Sequence, residues 1–145
     1  MMQALHVPLE EFLRPFFGPG EKICLRVFDD RKAGTFKGAK LETDLAGLFG
    51  LMDTLKRHNG QNRGIYFVVN FGGHEDGEIT RINAQFMECD ELSLEEQWKQ
   101  IMGFPLKPSL VVKTRKSLHT YWLIKDGRVD AFRRIQRRLA AKFHG

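Results

Sequence analysis

The stretch from Ile79 to Leu92, ITRINAQFMECDEL, decides how the chain is read. It is rich in β-compatible residues and predicts a core strand. Near its end Glu88 and Asp90 stand two apart, so that in a strand both carboxylates project from the same face. Two like charges that close raise the free energy of the fold unless cations neutralise them. Phe86, Met87 and Leu92 flank them, and packing alone gives no reason to put the acids together. Hard oxygen ligands at this spacing suit Mg²⁺ or Mn²⁺. A strand edge whose acids face water is the competing reading of the pair taken alone.

Upstream, GIYFVVN (64–70) reads as the clearest buried strand and breaks into the polar turn GGHEDGE. KICLRVFDD predicts a strand through Ile23 to Phe28, preceded by a short helix and the Gly18-Pro19-Gly20 break. Residues 31–40 read as a Gly/Lys-rich loop. Apolar residues at Leu45, Leu48, Phe49, Met52 and Leu55 then suit an amphipathic helix stopped by Asn59-Gly60. Downstream, Ser93 followed by Glu96 is a capping-box signature opening the helix SLEEQWKQIMGF. After a linker bounded by Pro105 and Pro108, SLVVKTRKSLHTYWLI predicts two strands joined by a tight basic turn at Arg115-Lys116. The last segment, GRVDAFRRIQRRLAAKFHG, predicts a helix burying Phe132, Ile135, Leu139 and Phe143, with its arginines on the other faces. The order lacks strict βαβα alternation, so an α+β fold follows: a mixed, largely antiparallel sheet with packed helices.

The 145 residues fit a single domain. No stretch approaches the roughly 18 apolar residues needed to span a bilayer, and acidic residues in the N-terminal segment argue against a signal peptide. A cytoplasmic protein without a membrane partner is expected. Cys24 and Cys89 have no CxxC spacing and no ligand spacing to a histidine, so two reduced, buried thiols are expected, with neither disulfide nor zinc site. The net charge of +5 favours an acidic partner such as nucleic acid. Arg133, Arg134, Arg137, Arg138 and Lys142 crowd the last turns, where they could grip a phosphodiester backbone or form a solvated face with internal salt bridges. Phe71 and Trp98 could stack on bases, although core packing is the stronger expectation for both.

A second group of chemically capable residues lies in VVKTRKSLHTYW: Lys113, Arg115, Ser117, His119 and Tyr121. Ser117 and His119 share a face beside the turn carrying Arg115 and Lys116, and hydroxyl, imidazole and cations together could cradle a triphosphate. Taken alone, the histidine reads equally as a satisfied strand residue.

The two groups in order, an acidic strand pair, a helix, and a proline-marked approach to a Ser-x-His strand, resemble the archaeo-eukaryotic primase superfamily. The first motif of that family, Asp/Glu-x-Asp/Glu at the end of a hydrophobic strand, is matched by Glu88-Cys89-Asp90, and the second by Ser117-Leu118-His119. A strand ending in Asn, here YFVVN with Asn70, and the run from Pro108 through Trp122 are similar to primase domains of plasmid and phage replication proteins. The resemblance covers about residues 60–145 and implies an RRM-like primase core. It implies that Glu88 and Asp90 are metal ligands for Mg²⁺ or Mn²⁺, and that His119, with Ser117 beside it, contacts the phosphates of an incoming nucleotide triphosphate. Arg115 and Lys116 become candidates for phosphate or template contact, although the family more often has glycine in this turn. Asn70 becomes a nucleotide-site candidate without an assigned role.

The implied activity is two-metal, template-directed nucleotidyl transfer on single-stranded DNA for a plasmid or mobile element, often with a helicase domain or protein as partner. The third acidic motif of the family has no match: Asp126 and Asp130 come too early, so the expectation is a chain cut before that motif. The alternative is a non-catalytic, single-stranded nucleic-acid-binding replication module. A rolling-circle nuclease would need a second histidine two residues from His119 and a nucleophilic tyrosine on a helix, and Tyr121 reads as strand.

Overall fold

A computed structural model describes residues 5–31 and 34–143. Lys32 and Ala33 of the expected 31–40 loop, and His144 and Gly145 at the close of the expected last helix, lie outside the described residues. The elements in chain order are α1 (Leu9–Leu13), β1 (Ile23–Asp29), β2 (Ala39–Thr43), α2 (Leu48–Gly60), β3 (Arg63–Phe67), β4 (Ile82–Glu88), α3 (Leu94–Gly103), β5 (Leu110–Lys113), β6 (Leu118–Gly127) and α4 (Val129–Phe143). The fold is α+β, as expected. Its strands form two three-stranded sheets, β2-β1-β3 and β4-β6-β5, whose pairs are all antiparallel. The chain divides into two compact units, one over Pro8–Thr80 and the other built mainly from Arg81 onward. Among the described residues no helix is long and apolar enough to cross a membrane.

In the N-terminal unit β1 is the central strand, and Ile23, Cys24, Leu25 and Val27 are buried. Leu13, Phe16 and Phe17 recur at helical spacing and are buried, and the rings of Phe12 and Phe16 meet Phe67 of β3 at 5.5 and 5.2 Å in edge geometry. The expected loop through residue 40 is shorter than read, because Ala39 and Lys40 already pair with Val27 and Arg26. GIYFVVN is also less strand-like than expected. β3 ends at Phe67 and is only half-buried, while Val69 and Asn70 beyond it are buried. In α2 the buried residues are Leu48, Leu55 and His58, which turns Phe49 out to 90% exposure.

In the C-terminal unit β6 is central, with β5 entering it through the predicted basic turn. Ser93 and Glu96 form the predicted capping box: the Ser93 hydroxyl accepts from the Glu96 N–H, and the Glu96 carboxylate accepts from the Ser93 N–H. α4 lies against β4, where Gln136 Oε1 accepts from the Phe86 N–H and from Gln85 Nε2, both at 2.9 Å, and Phe132 meets Phe86. This covers an edge strand that would otherwise offer unpaired backbone groups. The face containing Phe132, Gln136 and the buried Phe143 turns Ile135 outward to 40% exposure, against the expectation that it is buried.

One buried polar side chain organises this unit. Gln97 of α3 is 3% exposed. Its Oε1 accepts from the Leu118 N–H at 2.8 Å, while its Nε2 donates to the carbonyls of Leu92 at 2.7 Å and Lys116 at 3.2 Å. The segment after the acidic pair and the segment before His119 are thus tied through one amide. Gln97→Leu keeps the volume but leaves the buried Leu118 N–H without its acceptor. A loss of about 1–3 kcal/mol in urea unfolding is expected, with the slope unchanged.

Candidate functional site

Glu88 is the last residue of β4, and His119 is the second of β6. The antiparallel register sets them directly opposite each other. Residues opposite one another share a face, and His119 Nε2 lies 3.3 Å from Glu88 Oε1. The Ser117 hydroxyl, 2% exposed, donates to the same carboxylate oxygen at 3.1 Å. Thr114 fixes that serine: its Oγ1 accepts from the Ser117 N–H at 3.1 Å and donates to the Ser117 carbonyl at 3.0 Å. The turn between them carries Arg115 and Lys116, both exposed. The Glu88 side chain remains 49% exposed and that of His119 26%, so the pair opens to solvent on one face of the sheet.

The strand stops at Glu88, so Asp90 lies beyond β4 rather than within it as expected. Cys89 between them is buried and Asp90 exposed, so the in-out alternation continues past the last ladder pair and both carboxylates reach solvent. Among the described residues Asp90 takes part in no hydrogen bond or ion pair. Two accessible carboxylates are a fitting donor set for a hard dication that keeps most of its water and completes its shell with substrate phosphates. The ligand atoms of Glu88, Asp90 and His119 do not all gather within 4.8 Å, a condition that Cys24, Glu42 and His74 alone meet among the described residues.

Tyr121 follows on the same face of β6, opposite Phe86, and is 6% exposed. Burial, and after it the Glu88 charge, pushes its phenol up to about 12. A strand-borne, strongly protonated phenol is a poor nucleophile. Of the two early aspartates, Asp126 has a left-handed backbone (φ 56°) near the end of β6. Asp130, in the first turn of α4, is paired with Arg128, which holds its carboxyl below the usual range. Asn70 is buried in the N-terminal unit. Arg133, Arg134, Arg137, Arg138 and Lys142 are all exposed on α4, while Phe71 and Trp98 are each partly buried. Sequence reasoning missed Gln97 and Thr114. A glutamine on the buried side of a helix was the one available signal for Gln97, and nothing marked Thr114.

No family model matches the sequence, and no curated protein matches it. Solved structures do. The chain is similar to the archaeo-eukaryotic primase (AEP) domain of the cyanophage S-2L primase-polymerase, with 29% identity and a TM-score of 0.74 over 92% of this chain and 70% of that one. It is also similar in fold to primase RepB', with 22% identity and a TM-score of 0.64 over 91% of this chain and 41% of that one. The same fold likeness, at 22% identity and a TM-score of 0.64, extends to the catalytic domain of primase RepB' solved in complex with initiator DNA, of which the chain spans 63%. The structural neighbours are thus primases and primase-polymerases, and the chain has the fold of the archaeo-eukaryotic primase superfamily.

The raised Tyr121 phenol has a measurable consequence. Its proton is held more tightly in the folded than in the unfolded chain, so this stabilisation is complete below about pH 10 and is lost as pH rises towards about 12. The difference of about 2 units corresponds to about 3 kcal/mol, an order-of-magnitude figure. Alkaline urea unfolding should fall more steeply for the native chain than for Tyr121→Phe. In a Tyr66→Phe background, tyrosinate absorbance should titrate at lower pH once Glu88→Gln removes the neighbouring charge.

Proposed function

We propose that the chain is the catalytic core of a primase or primase-polymerase performing template-directed nucleotidyl transfer. The observation that carries this reading is the meeting of Glu88, Ser117 and His119 where β4 ends and β6 begins, with Glu88 and His119 partly open to solvent, within a primase fold. Glu88 and Asp90 would hold Mg²⁺ or Mn²⁺, which when bound supply charge neutralisation for the triphosphate and acidify the attacking hydroxyl. His119 would donate towards a nucleotide phosphate. The Ser117 hydroxyl, by donating to Glu88 Oε1, orients that carboxylate and leaves its other oxygen for the cation side. Arg115 and Lys116, exposed in the turn next to Ser117, would meet phosphate or template, and Asn70 would serve the nucleotide.

The partners under this reading are nucleotide triphosphates and a single-stranded DNA template, with a helicase as a further partner in replicating a plasmid or mobile element in the cytoplasm. One neighbour was solved with initiator DNA, which supports nucleic-acid contact. The exposed cations of α4 supply a surface for it, and among the described residues Arg134, Arg137, Arg138 and Lys142 engage in no ion pair.

Primer synthesis by the full-length protein, followed with labelled triphosphates and Mn²⁺, should fall on the order of a hundredfold or more in Glu88→Ala/Asp90→Ala. Equal synthesis in both would remove the catalytic reading. Single-stranded DNA binding that persists unchanged in that variant, with no synthesis by either protein, would favour a non-catalytic binding module. In a separate measurement, Arg134→Ala/Arg137→Ala/Arg138→Ala should weaken single-strand binding. The slope of log affinity against log salt should flatten by about 0.7 for each phosphate contact removed. An unchanged slope would exclude this face from the interface.

A further inference from the structure

The N-terminal unit contains a second set of ligating side chains, unrelated in chemistry to Glu88 and Asp90. Cys24 of β1 and Glu42 of β2 are directly opposed in the ladder and so share a face. His74, from the loop after β3, joins them: one ligand atom from each of the three lies within 4.8 Å of the others, and His74 Nε2 is 3.8 Å from Glu42 Oε1. Cys24 is 4% exposed and the His74 side chain 9%, while Glu42 keeps 56% of its side chain open to solvent.

A second, independent observation points to a ligand. Both ring nitrogens of His74 are buried and neither has a hydrogen-bond partner. A neutral imidazole carries one donor and one acceptor, and burying both unmade is disfavoured. The fold nevertheless holds the ring there. Gly72 has φ 150°, and a Cβ at that position would meet the Glu78 carbonyl oxygen. Thr80 N–H donates to the Phe71 carbonyl at 2.9 Å, closing the loop. Glu75, next to His74, shares a capping box with Glu78 and accepts from Lys40 Nζ of β2 at 2.9 Å. The loop thus presents an imidazole that lacks a hydrogen-bond partner to a cysteine and a glutamate.

We infer that Cys24, Glu42 and His74 bind a divalent cation of the zinc class, clamping the 71–80 loop onto β1 and β2. A thiolate with an imidazole selects zinc-type ions, whereas magnesium and calcium take oxygen donors. Thiolate, carboxylate and neutral imidazole together balance a dication. Donors on a tetrahedral zinc lie roughly 3.3–3.6 Å from one another, so small side-chain rotations close the present set. Glu42 stands at the solvent side, which leaves a fourth position for water. The sequence offered no spacing signal for this group, because ladder register and loop closure bring it together. This inference runs against the expectation that Cys24 belongs to no zinc site, and it stands apart from the nucleotidyl-transfer reading.

The test uses the untagged full chain after chelator treatment and Zn²⁺ competition against a chromogenic chelator. One equivalent should bind, and Glu42→Gln and His74→Gln should each weaken binding by about tenfold or more. Glu42 is exposed, so its variant should fold even if a buried Cys24 variant does not. With Co²⁺ as probe, the native chain should show a thiolate-to-cobalt charge-transfer band that Cys24→Ser removes. Zinc binding that is equal in the native chain and both glutamine variants, or cobalt binding without the thiolate band, would overturn the site. A loss of the equivalent in Glu88→Ala/Asp90→Ala would also overturn it, by assigning the ion to the other unit.

Discussion

The pairing of Glu88 with His119 across the β4–β6 ladder is the constraint on which the candidate site rests. Side chains alternate faces along a strand, so a slip of one residue would send the imidazole to the opposite face from the carboxylate. Several features pin this register. Leu118 and Thr120, on either side of His119, are buried on the face that α3 covers, together with Ile101. Gln97 accepts from the Leu118 N–H and donates to the carbonyl just before Ser117, so a slipped β6 would break contacts made by a side chain with no water to replace them. Thr114 closes the turn onto Ser117 from the other end. The polar cluster at the surface is therefore positioned by an apolar face and one amide beneath it.

How much of this could be read from the sequence depends on the range of each interaction. The α3 capping box, the β5–β6 hairpin and the α+β class depend on short-range patterns, and all three were legible. The pairing of acid and histidine could be anticipated only from motif order, since nothing local states which strands neighbour each other. Where strand β4 ends was misread: the ladder with β6 stops at Glu88, and Asp90 is a loop residue that keeps the strand's alternation. Phe49 and Ile135 were misassigned for a related reason. Apolar periodicity defines a stripe broader than the partner surface, and the residue at the edge of the stripe is left outside. Gln97 left only a faint signal, a glutamine on the apolar side of its helix, because the partners it bonds are distant in sequence.

The two sides of α4 carry opposite chemistry. Towards β4 it presents Phe132 and Gln136, the amide supplying an acceptor to an edge strand whose outward N–H groups would otherwise be open to another chain. Away from it the helix presents Arg133, Arg134, Arg137, Arg138 and Lys142. These cations lie close together along one helix and repel one another, a cost that falls when an acidic polymer neutralises them. Covering the strand edge keeps the sheet from pairing with other chains while leaving the charged side accessible.

The two donor sets in the chain differ in hardness, and that difference decides which ions they can share. Glu88 and Asp90 offer oxygen alone, exposed to water, and such a pair gains little from ions that prefer nitrogen or sulfur. Magnesium sheds its water reluctantly, so one or two accessible carboxylates with room for a retained hydration shell suit it better than an enclosed cage. Cys24 and His74 are the reverse: both are buried, and neither is a good ligand for a strongly hydrated hard ion. By donor type alone, a zinc-type ion favours a set with sulfur and nitrogen over a pair of carboxylates. Hard and soft donors are thus kept in separate clusters of the chain. Donor chemistry and burial alone can discriminate between such ions, without an enclosed cage.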